Sequence, residues 1–323
     1  MRIPRRQFLH LAVAASTLPM SSRFAIAQSY PTRPVHLVEG FGAGGAPDVV
    51  ARLIGQSLSE RLGQSFVIEN RSGATGNIAT EAVVRASPDG YTLLLVSAGN
   101  AINATMFKLS FDVIRDLAPI AGIVRVPLVM EVHPSIAARS VGEFIAYAKA
   151  NPGKVNMASA GIGSLPHVAG EMFKAMAGVD LFHVPYRGAQ VFPALLAGEA
   201  QVYFGPLLSS IEYVRAGSFR ALAVTTAARS PILPDVPALG EILPGYEASA
   251  WYGIGGPRRM PEEVIEKLNK EVNVSIADPK FQARLAHLGG TPLGGSPSDF
   301  GKLISDEVKK WSRVILAADM KRE

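Results

Sequence analysis

Gly40, Gly42 and Gly45 spell G-x-G-x-x-G between a strand-like run at Val35–Val38 and a helix-like run that begins at Val49. Glycines at this spacing let an anion approach the backbone N–H groups that a helix N-terminus leaves unpaired. The helix macrodipole adds partial positive charge at the same end. Two chemistries fit. One is dinucleotide binding, with Glu69 at the end of the next strand as the ribose-binding acid. The other is backbone capture of a different anion. Against the first, Pro47 removes one donor directly behind the third glycine, and the remaining chain lacks a constellation for hydride transfer. An exported NAD(P)-dependent oxidoreductase using the 40–45 loop is the alternative reading.

The device recurs. A strand at 154–158 runs into Ser159-Ala-Gly-Ile-Gly-Ser164 and then a helix, so each half of the chain carries one such turn. Two turns in separate blocks point to an anion held between two lobes. Ser164 is the expected N-cap of the second helix. Asp48, in the first turn of its own helix, either complements the dipole, orients the glycine loop, or accepts a hydrogen bond from a ligand. Arg187, within His183-Val-Pro-Tyr-Arg-Gly188, can clamp a carboxylate through two parallel bonds, or sit on the surface.

Other chemistries fare worse. Ser97 has Leu95, and Ser164 has Pro166, where a nucleophile elbow needs glycine. His167 and Glu171 stand four apart on one helix, but no H-E-x-x-H occurs and no metal site is expected. His36, His133 and His287 read as structural, and Trp251 and Tyr252 as core or hinge packing. With no cysteine, a thiolate metal site, a disulfide framework and a cysteine nucleophile are excluded.

These residues need elements to place them. Short strands alternate with amphipathic helices, an α/β signature. Strand 35–39 and a helix over 47–62 are followed by strand 65–69, a helix to about Ala86, and strand 91–96, which is apolar on both faces as in a buried parallel sheet. A second block starts with strand 128–132, a helix at 141–150, strand 154–158 and a helix at 165–177. Short strands near 181–184, 201–204 and 220–224 alternate with a helix near 189–197 and a segment near 207–216. A strand at 250–254 and three helices close the chain, the last carrying Phe300, Leu303, Ile304, Val308, Trp311 and Ile315 on one face.

The 323 residues suffice for two domains with cores. Arg5 and Arg6, an apolar stretch to Leu18 and Ala25-Ile26-Ala27 form a twin-arginine export signal over 1–27. Cleavage near Ala27 would leave a periplasmic protein with 28 basic against 27 acidic residues, so the net charge of +5 falls to +1. With no basic stripe, nucleic acid is not an expected partner.

The ordered series of motifs resembles the extracytoplasmic solute-binding receptors of tripartite tricarboxylate transporters, the Bug-type proteins. It includes Phe41-Gly-Ala-Gly-Gly-Ala-Pro-Asp48, Val67-Ile-Glu-Asn-Arg71, Pro88-Asp-Gly-Tyr-Thr-Leu93, Gly161-Ile-Gly-Ser164 with His167, His183–Gly188, Pro234-Asp-Val-Pro237 and Trp251-Tyr-Gly253. The resemblance spans nearly all of the mature chain. It implies a two-lobed, type II periplasmic-binding-protein fold, each lobe a mostly parallel sheet flanked by helices. Lobe 1 would comprise 28–127 and 251–323, and lobe 2 residues 128–250. It further implies a monomer without catalysis or cofactor, which binds a dicarboxylate or aromatic carboxylate and delivers it to membrane transporter subunits. The implied contacts are Phe41, Gly44, Gly45, Ala46 and Asp48, then Ser97, Ala98 and Asn100. In the second lobe they are Ser159, Ala160, Gly163, Ser164 and His167; Arg187 joins the candidates on its own chemistry as a carboxylate clamp. Glu39-Gly40, Gly42 and Pro47 depart from the usual residues at the rim of that site.

Overall fold

The computed structural model describes residues 30–318 and Met320; the export signal expected over 1–27 lies outside the described residues. The chain divides into one unit through Thr32, of which only residues 30–32 are described, and a second from Arg33 onward. The second unit begins with β1 (Val35–Glu39), α1 (Ala46–Leu62), β2 (Phe66–Asn70), α2 (Asn77–Val84), β3 (Thr92–Ser97) and α3 (Ala98–Met106). A long strand, β4 (Leu117–Val132), leads to α4 (Val141–Ala150), β5 (Asn156–Ser159), α5 (Leu165–Ala177), β6 (Phe182–Pro185) and α6 (Val191–Leu196). Then come β7 (Val202–Pro206), α7 (Leu207–Arg215), β8 (Arg220–Val224) and β9 (Ser249–Pro257). The chain closes with α8 (Glu262–Ala277), α9 (Pro279–His287), β10 (Thr291–Pro292) and α10 (Pro297–Ala317).

The strands run in the order β2-β1-β3-β9-β4-β7-β5-β6, with β10 and β8 also paired to β4. Residues 117–127 of β4 pair with β9, and residues 128–132 pair with β7. One strand thus belongs to both halves of the sheet system. The α/β class holds, with a refinement: the sheets are mixed. β2, β1 and β3 are mutually parallel, as are β6, β5 and β7, because each is fed by a helical crossover. β4 carries the chain straight out of one half and β9 brings it back alongside, so these two must be antiparallel.

Periodicity missed residues 117–127 because Pro119, Gly122 and Pro127 break the apolar run. The register shifts between Pro119 and Ala121, and again between Gly122 and Val124, which is where a strand tolerates such residues. Ser97, Ala98 and Asn100, named from the sequence as contacts, stand at the start of α3. Ser97 caps it, and its N–H donates to Asn100 Oδ1 at 2.8 Å. Nearly every residue of α3 is buried, so no polar face marks it in the sequence. Of the stripe on α10, Phe300, Ile304, Trp311 and Ile315 are buried, while Leu303 and Val308, at its margins, are half-buried.

Candidate functional site

Five strand-to-helix junctions line one cavity. They contribute Gly45 and Ala46 after β1, Ser97 and Ala98 after β3, Ala160 and Ser164 after β5, Gly188 and Ala189 after β6, and Pro206 and Ser209 after β7. All lie at the carboxyl ends of strands, where α/β sheets place their ligands. Phe41, Leu165, Phe192 and Ala250 supply apolar wall, and among the described residues no Asp, Glu, Lys, Arg or His lines the space. About 60 Å³ is open to the centre of a water molecule, room for several waters or a small organic ion. An anion here would be met by N–H groups, helix dipoles and hydroxyls rather than by a charged side chain.

The first loop is held from behind. Asp48, 4% exposed, accepts through Oδ2 from the Gly44 N–H at 3.0 Å and from Arg52 Nε at 2.9 Å; its Oδ1 accepts from Asn70 Nδ2 at 2.9 Å. Burial alone would raise its pKa, but the bonds from Arg52, Gly44 and Asn70 outweigh it and hold the carboxyl below its usual range. Asp48 therefore orients the loop and does not line the cavity. Glu39, fully buried, accepts from the Phe41 N–H at 2.7 Å and from Asn70 Nδ2. Burial pushes its pKa up to about 7, against the opposing effect of those bonds.

Gly40, the first glycine of the dinucleotide fingerprint, has another duty. A Cβ on Gly40 would fall 2.4 Å from Gly76 Cα, so this position serves backbone packing. Glu69, the acid required for a ribose, is occupied by His36 Nδ1 at 2.5 Å and Arg71 at 2.7 Å.

The second loop is braced by two histidines. Ser159 Oγ and His183 Nε2 lie 2.7 Å apart, the Gly161 N–H donates to Ser159 Oγ at 3.1 Å, and the Gly163 N–H donates to His167 Nδ1 at 3.2 Å. Ser164 Oγ donates to Gly161 O at 2.6 Å and accepts from the His167 N–H, the expected N-cap. The rings of His167 and His183 stack with centroids 4.1 Å apart. Burial first, then the charges of His183 and Lys174, lowers His167 to about 3; burial and Lys174 lower His183 to about 4. Both stay neutral, and both stand behind the cavity.

Among the residues anticipated from sequence, Phe41, Gly45, Ala46, Ser97, Ala98, Ala160 and Ser164 line the cavity. Gly44, Asp48, Asn100, Ser159, Gly163 and His167 do not line it. Arg187 is exposed and lines an adjoining opening that shares Phe41, Ala160 and Gly188 with the inner space.

Residues 50–320 match the family described as Tripartite tricarboxylate transporter family receptor. This chain belongs to that family. Among solved structures, the receptor is similar to Rpa4515 of R. palustris, determined with adipate, at 37% identity and a TM-score of 0.89 over 91% of this chain and all of that one. It is similar to the periplasmic binding protein BugD at 33% identity, TM-score 0.88, over 91% of this chain and all of that one. MatC from Rhodopseudomonas palustris, with bound malate, matches at 30% identity and a TM-score of 0.85, over 88% of this chain and all of that one. The fold is thus that of the Bug-type periplasmic binding proteins.

The receptor's cavity also includes residues that the sequence reading left out: Gly188, Ala189, Phe192, Tyr203, Ser209 and Ala250, with Tyr252 read only as packing. The one signal available was local. Gly188 opens the helical turn that follows β6, and Pro206 ends β7 where α7 begins, the same kind of strand-to-helix junction as at Gly45 and Ser164.

Proposed function

We propose that this receptor is exported, captures a small organic acid between two lobes, and delivers it to a tripartite tricarboxylate-type membrane transporter without chemical change. The convergence of helix starts from both halves of the sheet system on one cavity carries the reading. Relatives determined with adipate and with malate support a carboxylate, a dicarboxylate or an aromatic acid. Each charge-assisted hydrogen bond contributes about 1.5–3 kcal/mol, and a Kd of about 1 μM needs about 8 kcal/mol. Three or four such bonds suffice once ordering costs are offset.

Lobe 1 would hold 28–127 and 251–323 and lobe 2 residues 128–250, with β4 and β9 as the crossing strands. The change of β4's partners between Pro127 and Leu128 supports that boundary. Closure on the acid would give the transporter a shape to recognise. Processing near Ala27 predicts a periplasmic monomer beginning at Gln28, checked by N-terminal sequencing and size-exclusion chromatography.

Calorimetry with adipate, malate and benzoate tests the central claim, with Gly45→Val as control. A Cβ at Gly45 meets only ordinary contacts, 3.5 Å to Gly42 O and 3.6 Å to Pro47 Cδ, so the variant should fold while its methyl groups enter the cavity. Failure of every acid to bind, or equal binding by the variant, would count against this function.

A further inference from the structure

Two cavity side chains have polar atoms without partners. The three serines that line the space already donate: Ser97 to Asn100 Oδ1, Ser164 to Gly161 O and Ser209 to Pro206 O. The hydroxyls of Tyr203 and Tyr252 make no hydrogen bond with any described residue, although these tyrosines are only 3% and 4% exposed. Buried tyrosine hydroxyls ordinarily find a partner, because an unpaired one is costly. Nor are these oxygens sealed away. The fully enclosed, unpaired side-chain atoms among the described residues are Asn103 Oδ1 and Glu131 Oε2. The two hydroxyls therefore keep contact with open space, and the open space that both residues line is the cavity.

Their placement is symmetrical in the fold. Tyr252, on β9, pairs with Ser97 at the end of β3, while Tyr203, on β7, pairs with Ala158 near the end of β5. Each stands beside a strand that launches one of the cavity's loops. Tyr252 is within electrostatic reach of Tyr203, and burial pushes both phenols well up, so both are donors at neutral pH. A single carboxylate offers about four lone-pair sites, which the helix starts alone can occupy. The phenols are donors beyond that number.

We propose that Tyr203 and Tyr252 donate hydrogen bonds to the ligand, one from each half of the sheet system, and select an acid with a second group of acceptor oxygens over a monocarboxylate. The ligand class is then a short aliphatic dicarboxylate, with or without a hydroxyl or keto group. This rests on the organic-acid reading of the same cavity.

Tyr203→Phe, Tyr252→Phe and the double variant test it, by calorimetry with succinate, malate and adipate against butanoate and hexanoate, and by thermal unfolding without ligand. The wild type should prefer diacids. Each single variant should bind its best diacid roughly ten- to a hundred-fold more weakly, with little change for monoacids. Because neither hydroxyl has a protein partner, the ligand-free melting temperature should stay level or rise. Unchanged diacid affinity in all three variants overturns the tyrosine assignment and leaves the receptor reading intact. A lowered melting temperature with loss of every ligand shows a structural role and also overturns it. No acid bound by the wild type overturns both.

Discussion

A Cβ placed on Gly188 would lie 2.9 Å from the amide nitrogen of Gly42. The turn after β6 therefore meets the loop after β1 backbone to backbone, at one edge of the cavity. Thr75 Oγ1 adds a second crossing by donating to Ile162 O at 2.5 Å. These contacts join segments far apart in the chain around the space where a ligand would sit.

Gly188→Ala should act as a wedge at this point. Gly188 has φ of 53°, so alanine costs about 1 kcal/mol in the left-handed region, and its methyl group cannot share space with Gly42. We expect acid affinity at least about ten-fold weaker and small-angle scattering that shifts toward a more open form. Unchanged affinity would mean that this contact does not govern closure.

Asp48→Ala should loosen the first loop from behind. It leaves the Gly44 N–H and Arg52 without their acceptor, a loss of about 2–3 kcal/mol in urea unfolding. Because the folded pKa of Asp48 is depressed, its contribution is present above the ordinary value of 3.8 and is lost as pH falls through the folded pKa. The variant should therefore lose least stability relative to wild type in strong acid.

Stability should fall on both sides of neutrality, for different reasons. Burial holds Glu131 at about 8, only partly offset by its bond from Ser210 at 2.9 Å. A carboxyl raised in this way contributes stability fully below about pH 4.5 and loses it as pH rises through 8. Glu39, at about 7, acts in the same direction. His167 and His183, lowered to about 3 and 4, contribute above 6.5 and lose it as pH falls through those values. Glu131→Gln should flatten the alkaline limb by on the order of a few kcal/mol, and His167→Gln the acid limb, in denaturant titrations from pH 4 to 9 (a range set by these pKa values). Parallel curves for variant and wild type would contradict this assignment.

Trp251→Phe should weaken the join between β9 and α10. The indole N–H groups of Trp251 and Trp311 both donate to Glu307 Oε2, at 3.0 and 2.9 Å, and that carboxylate is buried. Removing one donor should cost about 1–3 kcal/mol in chemical unfolding. A loss below a few tenths would show that Trp311 alone satisfies the carboxylate.

Local chemistry was legible in the residues themselves. The two glycine loops, the Ser164 cap, the apolar β3 and the stripe on α10 each depend on neighbours within a few positions, so spacing and residue type reveal them. The N-terminal half of β4 was hidden because its prolines and glycine are accommodated by shifts of register against β9, a strand more than a hundred residues away. The buried α3 was hidden because it shows no polar face. Which side chains stand at the cavity was decided only by tertiary structure. Asp48 and His167 sit in the first turns of α1 and α5 and turn back to brace the loops before them, whereas Tyr203 and Tyr252 lie on strands and line the space. Sequence determined the anion-ready helix starts, since each is a short-range arrangement of cap, glycine and dipole. Their meeting at one cavity was decided by strand order and by the shared β4, which are long-range pairings that no local pattern encodes.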